Sequence, residues 1–230
     1  MEAGKEALDR LTATIQGRRT VYSFLSQIYE REITVDFLKQ LIGVEFMTQI
    51  HSMKEDEGFR LLGVYLKSLE ARDLEKVRLE LAVEYAALFL GMRAGLYHPS
   101  ESAYTTSTHF IMQDPRSVVV SIYRNAGVDK VSDFSEPEDH IAMELQFMAH
   151  LCRKTAEALQ GGNKSEASKL LLAQLDFIDK HLLVWVPKFT EDVIKASEID
   201  LYKAVAKITG SFIELDKNAI GELNQEIGRL

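Results

Sequence analysis

Apolar residues recur along most of the chain at the spacing of an amphipathic α-helix, and no series of segments alternates as β-strands do. This pattern predicts helices over about residues 5–31, 37–41, 59–69, 73–90, 114–125, 136–160, 164–183 and 199–215, followed by a polar tail. Their large apolar side chains are predicted to lie in the core, among them Tyr85, Phe89, Phe147, Met148, Leu151, Trp185 and Phe189. The sequence therefore predicts an all-α fold, a single-domain multi-helix bundle over residues 1–230.

Prolines and glycines indicate where several of these helices begin and end. Asp114 and Pro115 are typical of a helix start, and Gly127 suits the left-handed position that follows a helix end. Pro187 is expected to break or bend the helix in which it lies.

The longest section without a helical pattern covers residues 91–113 and is rich in Ser, Thr, Tyr and His. Loops of this length inside a compact domain are usually functional or mobile. We therefore expect a functional loop here, with a hinge within residues 91–135.

Residues 135–151 carry the most specific local pattern. Ser135 is a predicted N-cap, and Glu138 three residues later completes a capping box. Pro137 fits the first helical turn, where its missing N–H removes no hydrogen bond. His140 follows directly, so the segment either caps a helix or forms a binding site. The predicted start places three carboxylates at the positive end of the helix dipole, those of Glu136, Glu138 and Asp139.

Composition and charge narrow the class of protein. Of the 230 residues, 46% are apolar and 27% are charged, which indicates a folded protein with a substantial core. The net charge of −8 argues against a broad nucleic-acid surface. Cys152 is the only cysteine, which excludes an intrachain disulfide and a cysteine-rich zinc site. Because the sequence shows no secretory signal or membrane span, we expect a cytoplasmic protein.

The sequence contains no familiar catalytic or metal-binding motif. None of the six histidines follows an acidic residue by three positions, and no H-E-x-x-H occurs, so no metal site is predicted. Nucleophile elbows and phosphate-binding loops are absent as well. Asp139 and His140 would point about 100° apart on a helix and so cannot form one relay. The alternative of a helical enzyme or cofactor-binding protein that uses Asp139 and His140 remains open.

Arg18 and Arg19 form a twin arginine, as in an export signal. The residues that follow continue as an amphipathic helix instead of an apolar stretch. We therefore predict that these arginines lie on a solvated helix face.

The residues EPEDHI at positions 136–141, with their apolar continuation to Leu151, closely resemble the signature of the TorD/DmsD family. Members of this family are cytoplasmic chaperones for molybdenum-containing redox enzymes. Three more sections resemble the family in the same order: Arg19, Tyr22, Phe24 and Leu25; Tyr85, Leu88, Phe89, Gly91, Pro99, Glu101, Ser102 and Tyr104; His181, Leu182, Trp185 and Phe189. The resemblance covers about residues 15–215.

This resemblance implies an all-helical chaperone, and not an enzyme, that binds the twin-arginine signal peptide of a molybdopterin-containing oxidoreductase. Such a chaperone assists cofactor loading into the apo form of its partner before export by the twin-arginine (Tat) pathway. Weak binding of molybdopterin or a guanine nucleotide is expected from some relatives, as is a monomer or domain-swapped dimer. The signal-peptide-binding residues implied by motif position are Leu88, Phe89, Ser102, Tyr104, Pro137, Asp139 and His140.

The chemistry of the same segment agrees with this interpretation. A Tat signal presents two guanidinium groups followed by an apolar stretch, and carboxylates accept guanidinium in forked hydrogen bonds. We expect an acidic rim at Glu136 and Glu138, together with Asp139, to hold the arginines. The apolar face of Phe147 and Met148 would then take the hydrophobic part of the peptide.

Overall fold

The computed structural model describes residues 2–128 and 135–229, which form helices and connecting segments without a β-strand. This confirms the all-α prediction. A five-residue π-helix covers Ile178–Leu182. The α-helices are α1 (Glu2–Glu30), α2 (Val35–Leu41), α3 (Val44–Ser52), α4 (Glu57–Lys67), α5 (Leu74–Phe89), α6 (Glu101–Thr105), α7 (Asp114–Asn125), α8 (Ile141–Gln160), α9 (Lys164–Phe177), α10 (Leu183–Ala196) and α11 (Asp200–Arg229).

Two long helices, α1 and α11, organise the bundle. α1 packs along α8, and α11 packs against α4, α9 and α10. Apolar side chains at helical spacing on these elements form one buried hydrophobic cluster, as amphipathic helices do when they cover a common core. The core prediction is confirmed for every residue named for it: Tyr85, Phe89, Phe147, Met148, Leu151, Trp185 and Phe189.

The backbones of α4 and α11 come very close at Gly58. A Cβ atom added to Gly58 would lie 2.7 Å from the backbone nitrogen of Ile208 and 3.0 Å from the carbonyl oxygen of Ala204. Glycine is therefore required at this crossing. On the same helix, a Cβ atom at Gly63 would meet only Cδ1 of Ile50, at an ordinary contact distance of 3.6 Å.

Arg18 is buried, so the prediction of a solvated helix face is wrong for this residue. Its guanidinium donates to both carboxylate oxygens of Asp216, at 2.5 and 2.9 Å, and to Gln174 at 2.7 Å. The hydroxyl of Tyr22 donates to the same carboxylate at 2.7 Å. Arg19 is exposed, as predicted. The contacts of Arg18 tie α1 to α9 and α11 through residues that are distant in sequence.

The C-terminal part of the chain is more helical than predicted. α11 continues to Arg229, so the expected polar tail is helical, with Ile220, Leu223 and Ile227 buried on one face. Pro187 lies inside α10, and the helix does not break there. α3 was not predicted, although Val44, Met47 and Ile50 recur there at helical spacing.

The section over residues 91–113, expected to be non-helical, contains the short helix α6. α7 begins at Asp114 as predicted, and Gly127 follows its end with a φ of 70°. The predicted hinge within residues 91–135 lies partly on residues 129–134, which are outside the described ranges. No helix in the described part of the chain is long and apolar enough to cross a membrane.

Candidate functional site

A short antiparallel backbone pairing joins the segment before α6 to the segment before α8. Glu101 donates its N–H to the carbonyl oxygen of Asp139 at 2.9 Å, and Ile141 donates to that of Pro99 at 2.9 Å. The Asp139 side chain adds contacts to Ser102. We call this backbone pairing and the Asp139–Ser102 contacts the clamp. It brings together two stretches that carry most of the predicted site residues.

Asp139 is fully buried in the clamp. Its Oδ2 atom accepts hydrogen bonds from the backbone N–H of Ser102 at 2.8 Å and from the Ser102 hydroxyl at 2.5 Å. The carboxylate therefore satisfies a first-turn N–H of α6, as capping groups do at helix starts. Its Oδ1 atom is buried without a hydrogen-bond partner. Asp139 thus fastens α6 to the start of α8 and does not form part of an exposed rim.

The clamp also sets where α8 begins. His140 is the N-cap of α8, and its Nδ1 atom accepts a hydrogen bond from the N–H of Ala142 at 3.1 Å. The N–H of His140 donates to the carbonyl oxygen of Pro137 at 3.0 Å, which forms a turn. The predicted capping box with Ser135 as N-cap is therefore wrong. The helix begins five residues later than predicted because the backbone just before α8 pairs with residues 99–101 in the clamp.

A second layer of buried polar contacts lies beneath the clamp. His181 contacts Glu101 at 2.9 Å through Nδ1, and the indole N–H of Trp185 donates to Glu144 at 3.0 Å. Burial, followed by the charges of Glu101 and Asp139, raises the pKa of Glu144 well above its usual range. These contacts join α6 and α8 to the π-helix and α10. Glu144, Glu101 and His181 were not predicted as site residues, although all three are positions of the family motifs.

The predicted acidic rim lies at the surface beside the clamp. Glu136 contacts Nε2 of His98 at 2.9 Å, and Arg116 donates from Nε to Glu138 at 2.5 Å. Both carboxylates are half-buried. The Glu138 hydrogen bond raises the pKa of Arg116, which keeps that guanidinium charged. One rim carboxylate therefore already binds an arginine of the same chain.

An exposed apolar triplet, Phe110, Ile111 and Met112, follows α6. Its side chains are 69%, 40% and 54% exposed, respectively. His109 and Met112 have φ values of 55° and 63°, a region that costs a non-glycine residue about 1–2 kcal/mol. The backbone is thus held in an unfavourable conformation where three large apolar side chains face outward. Such strain is often found at binding sites.

Contacts on both sides fix the triplet next to the clamp. Nδ1 of His109 lies 2.9 Å from the carbonyl oxygen of Ala103, and the His109 ring stacks on Tyr97 with centroids 4.0 Å apart. On the other side, Gln113 donates its N–H to the Ser102 hydroxyl at 3.3 Å. The Ser102 hydroxyl therefore donates a hydrogen bond to Asp139 and accepts one from Gln113, the residue that follows the triplet.

Comparison with known proteins gives the same assignment along most of the chain. Residues 53–191 match the family model described as nitrate reductase delta subunit. The chaperone protein TorD of Vibrio cholerae (strain ATCC 39541) is 30% identical over 211 residues, which cover 91% of this chain and 94% of that protein. The chain belongs to the TorD family of chaperones. TorD of Aliivibrio salmonicida is 27% identical, with 91% of this chain and 97% of that protein covered.

A solved structure from Archaeoglobus fulgidus, described as that of a redox enzyme maturation protein, has the same fold. Its TM-score is 0.50 at 20% identity, and the alignment covers 86% of this chain and 93% of the other. The relatives are named as chaperones and not as catalysts, in agreement with the prediction that this TorD-family chain is not an enzyme. The predicted weak binding of molybdopterin or a guanine nucleotide, and the prediction of no metal, stay predictions.

The residues assigned from the TorD/DmsD resemblance lie at the clamp, on α6 and in the hydrophobic core. Ser102, Pro137, Asp139 and His140 are buried in or beside the clamp. Tyr104 on α6 is half-buried, with ring centroids 5.6 Å from Trp185 and 5.8 Å from Phe189. Leu88 and Phe89 lie in the core, where Phe89 contacts Phe189 at 6.4 Å between centroids. Their direct contact with a peptide stays a prediction. The exposed triplet was missed, although its three successive apolar residues in a polar loop were a visible signal.

Proposed function

We propose that this TorD-family chain is a maturation chaperone for a molybdopterin-containing oxidoreductase. In this proposal it acts in the cytoplasm, binds the twin-arginine signal peptide of the apo form, and assists cofactor loading before Tat export. The observation that carries the proposal is an exposed apolar triplet fixed beside two surface carboxylates. These two surfaces complement the apolar stretch and the guanidinium groups of a Tat signal.

The rim carboxylates have the chemistry that an arginine pair requires. A charge-assisted hydrogen bond between guanidinium and carboxylate is roughly twice as strong as a neutral one. Glu138 makes such a bond to Arg116, which sits in the first turn of α7. An arginine of the peptide would replace Arg116 at Glu138 with the same bonding geometry. Arg116 therefore competes with the peptide in this proposal.

Phe147 and Met148 are 4% and 0% exposed, so the expectation that they offer an apolar face to the peptide is wrong. The apolar part of the peptide would lie on the triplet instead. Gln113, which follows the triplet, is the N-cap of α7, and Arg116, which pairs with Glu138, lies in the first turn of that helix. The triplet therefore leads directly into the helix that carries the rim contact. Covering 110–112 with apolar side chains would remove exposed apolar area from water at about 25 cal/mol per Å². Ser102 and Asp139 act as positioning residues, because the Ser102 hydroxyl accepts from Gln113 after the triplet and is itself bound to Asp139.

The proposal is tested by calorimetric titration of the full chain with a synthetic twin-arginine signal peptide. Glu138→Gln should weaken binding by about tenfold because it removes the charge that holds a guanidinium. Arg116→Gln should strengthen binding, since it removes the internal competitor. Phe110→Ser should weaken binding through the apolar part of the peptide. These opposite directions are not expected from general destabilisation.

Two controls sharpen this experiment. Glu80→Gln removes a carboxylate on α5 from its exposed ion pair with Arg72 and should leave the affinity unchanged. A peptide with two lysines in place of the arginines should bind more weakly, because ammonium cannot make the forked contact. Unchanged affinity in both Glu138→Gln and Phe110→Ser would refute this surface as the peptide site.

A further inference from the structure

A groove between α3 and α4 lies apart from the clamp and has a cavity volume of about 460 Å³. Its apolar lining comes from Met47 and Ile50 on α3 and from Phe59 and Val64 on α4. Gly63 keeps the α4 wall low because it has no side chain, and a Cβ atom added there would lie no closer to any neighbour than 3.6 Å, from Cδ1 of Ile50. The groove is therefore open and apolar along its floor.

The rim of the groove is basic. Lys54, Arg60 and Lys67 are exposed, and none of them makes an ion pair with another part of the chain that the structure describes. His51 adds an exposed imidazole, and Glu55 is the single acidic residue in the lining. In a chain with a net charge of −8, three such cations around one apolar groove form a distinct local surface.

We propose that this groove binds an acidic amphipathic helix of a partner protein. Arg60 and Lys67 are seven residues apart on α4, so they lie on one side of that helix and line one wall of the groove. A bound helix could place an apolar stripe on the floor and carboxylates against the cations of both walls. Charge complementarity thus selects the occupant, and it excludes a twin-arginine peptide, whose guanidiniums the rim would repel.

The shape of the groove favours a helix over a lipid surface. Ile50 and Phe59 are only 3% and 8% exposed, so they form a recessed floor behind the charged rim, whereas Val64 on the α4 wall is 66% exposed and protrudes singly. Side chains that project from a helix can reach such a floor. Helices that bind a bilayer surface instead present protruding apolar residues, which insert about 5–10 Å into the lipid.

The probe for this proposal is an 18-residue peptide with leucines at i, i+3, i+4 and i+7, glutamates on both flanks and alanines elsewhere. Its affinity for the full chain is measured by fluorescence anisotropy at 50 and 300 mM salt. We expect saturable binding that weakens at high salt. The same peptide with lysines in place of the glutamates should bind at least about tenfold more weakly.

Variants of the chain separate the two features of the groove. Arg60→Glu combined with Lys67→Glu should weaken binding about tenfold by reversing charge on one wall. Gly63→Leu should weaken it to a similar degree by filling the groove without a change in charge. Circular dichroism and unfolding curves establish that each variant folds. Arg10→Glu with Lys76→Glu, which reverses two exposed cations on α1 and α5, should leave the affinity within about twofold.

Two results would overturn the proposal. The first is glutamate-peptide binding that is absent, or that is insensitive to both Gly63→Leu and the wall charge reversal. The second is binding of the chain to vesicles with 30% phosphatidylglycerol that depends on Arg60, Lys67 and Gly63 in the same way and that the peptide does not compete with. The groove would then bind a membrane surface.

Discussion

Removing the carboxylate of Asp216 is expected to destabilise the protein strongly. The side chains of Arg18 and Asp216 are 5% and 1% exposed, so neither charge is hydrated by bulk water. Asp216 accepts two hydrogen bonds from Arg18 and one from Tyr22. In Asp216→Ala, the arginine keeps its contact with Gln174, but its charge is buried without a counter-charge.

The magnitude follows from the cost of an unpaired buried charge. Breaking a buried ion pair by removing one partner costs about 3–5 kcal/mol. Neutralisation of Arg18 offers no escape, because an arginine side chain is not deprotonated in proteins and the variant therefore keeps a buried positive charge. We therefore expect Asp216→Ala to lower the free energy of unfolding by about 4 kcal/mol, a large part of the 5–15 kcal/mol of a typical domain.

Urea unfolding followed by circular dichroism measures this loss. Combining Asp216→Ala with Arg18→Leu should recover much of the stability, since no charge then remains buried, although Tyr22 still lacks its acceptor. The control Glu80→Ala breaks the exposed pair with Arg72 and should cost less than about 1 kcal/mol. Equal losses in Asp216→Ala and Glu80→Ala, or no recovery in the double variant, would refute the reasoning.

Three further predictions concern single buried positions. Because burial raises the pKa of Glu144, the folded chain holds a proton that the unfolded chain releases above about pH 4.5, and stability should fall as pH rises from 5 to 8. Glu144→Gln should flatten that dependence in urea unfolding at pH 5, 6.5 and 8, whereas an unchanged slope would contradict it. Gly58→Ala should cost about 2 kcal/mol through the clash with α11, and Gly63→Ala on the same helix should gain about 0.5–1 kcal/mol; equal signs in denaturant unfolding would contradict this. Burial raises the pKa of Cys152 to about 11, so the native thiol should react with Ellman's reagent far more slowly than the thiol of the urea-unfolded chain, and comparable rates would be the contrary result.

Local periodicity was sufficient for most of the fold. α5 and α7 lie close to their predicted positions because their apolar spacing, and the Asp114-Pro115 start of α7, are signals within one segment. The end of α11 could also have been found, since Ile220, Leu223 and Ile227 recur at helical spacing among polar residues. The burial of Arg18 could not have been predicted, because it depends on Asp216, and no pattern near Arg18 indicates that partner.

The candidate site shows a similar division. The family motif located Ser102 and Asp139, and the structure brings them together, but the predicted helix start at Ser135 failed because tertiary pairing replaced local capping. Sequence spacing placed Asp139 on an exposed rim, whereas its actual environment depends on a strand-like pairing with residues 99–101. Asp139 can be buried because Ser102 satisfies its carboxylate, and Ser102 lies 37 residues away in sequence.

The buried contact between α1 and α11 also has a consequence for how the protein is made. Asp216 follows Arg18 by 198 residues, so at a synthesis rate of about 5–20 residues per second the two are translated roughly 10–40 s apart. During that interval, Arg18 lacks its native counter-ion, and α1 cannot complete its packing. A nascent chain of this TorD-family chaperone thus finishes folding only after α11 has left the ribosome, which leaves its own first helix dependent on late assembly.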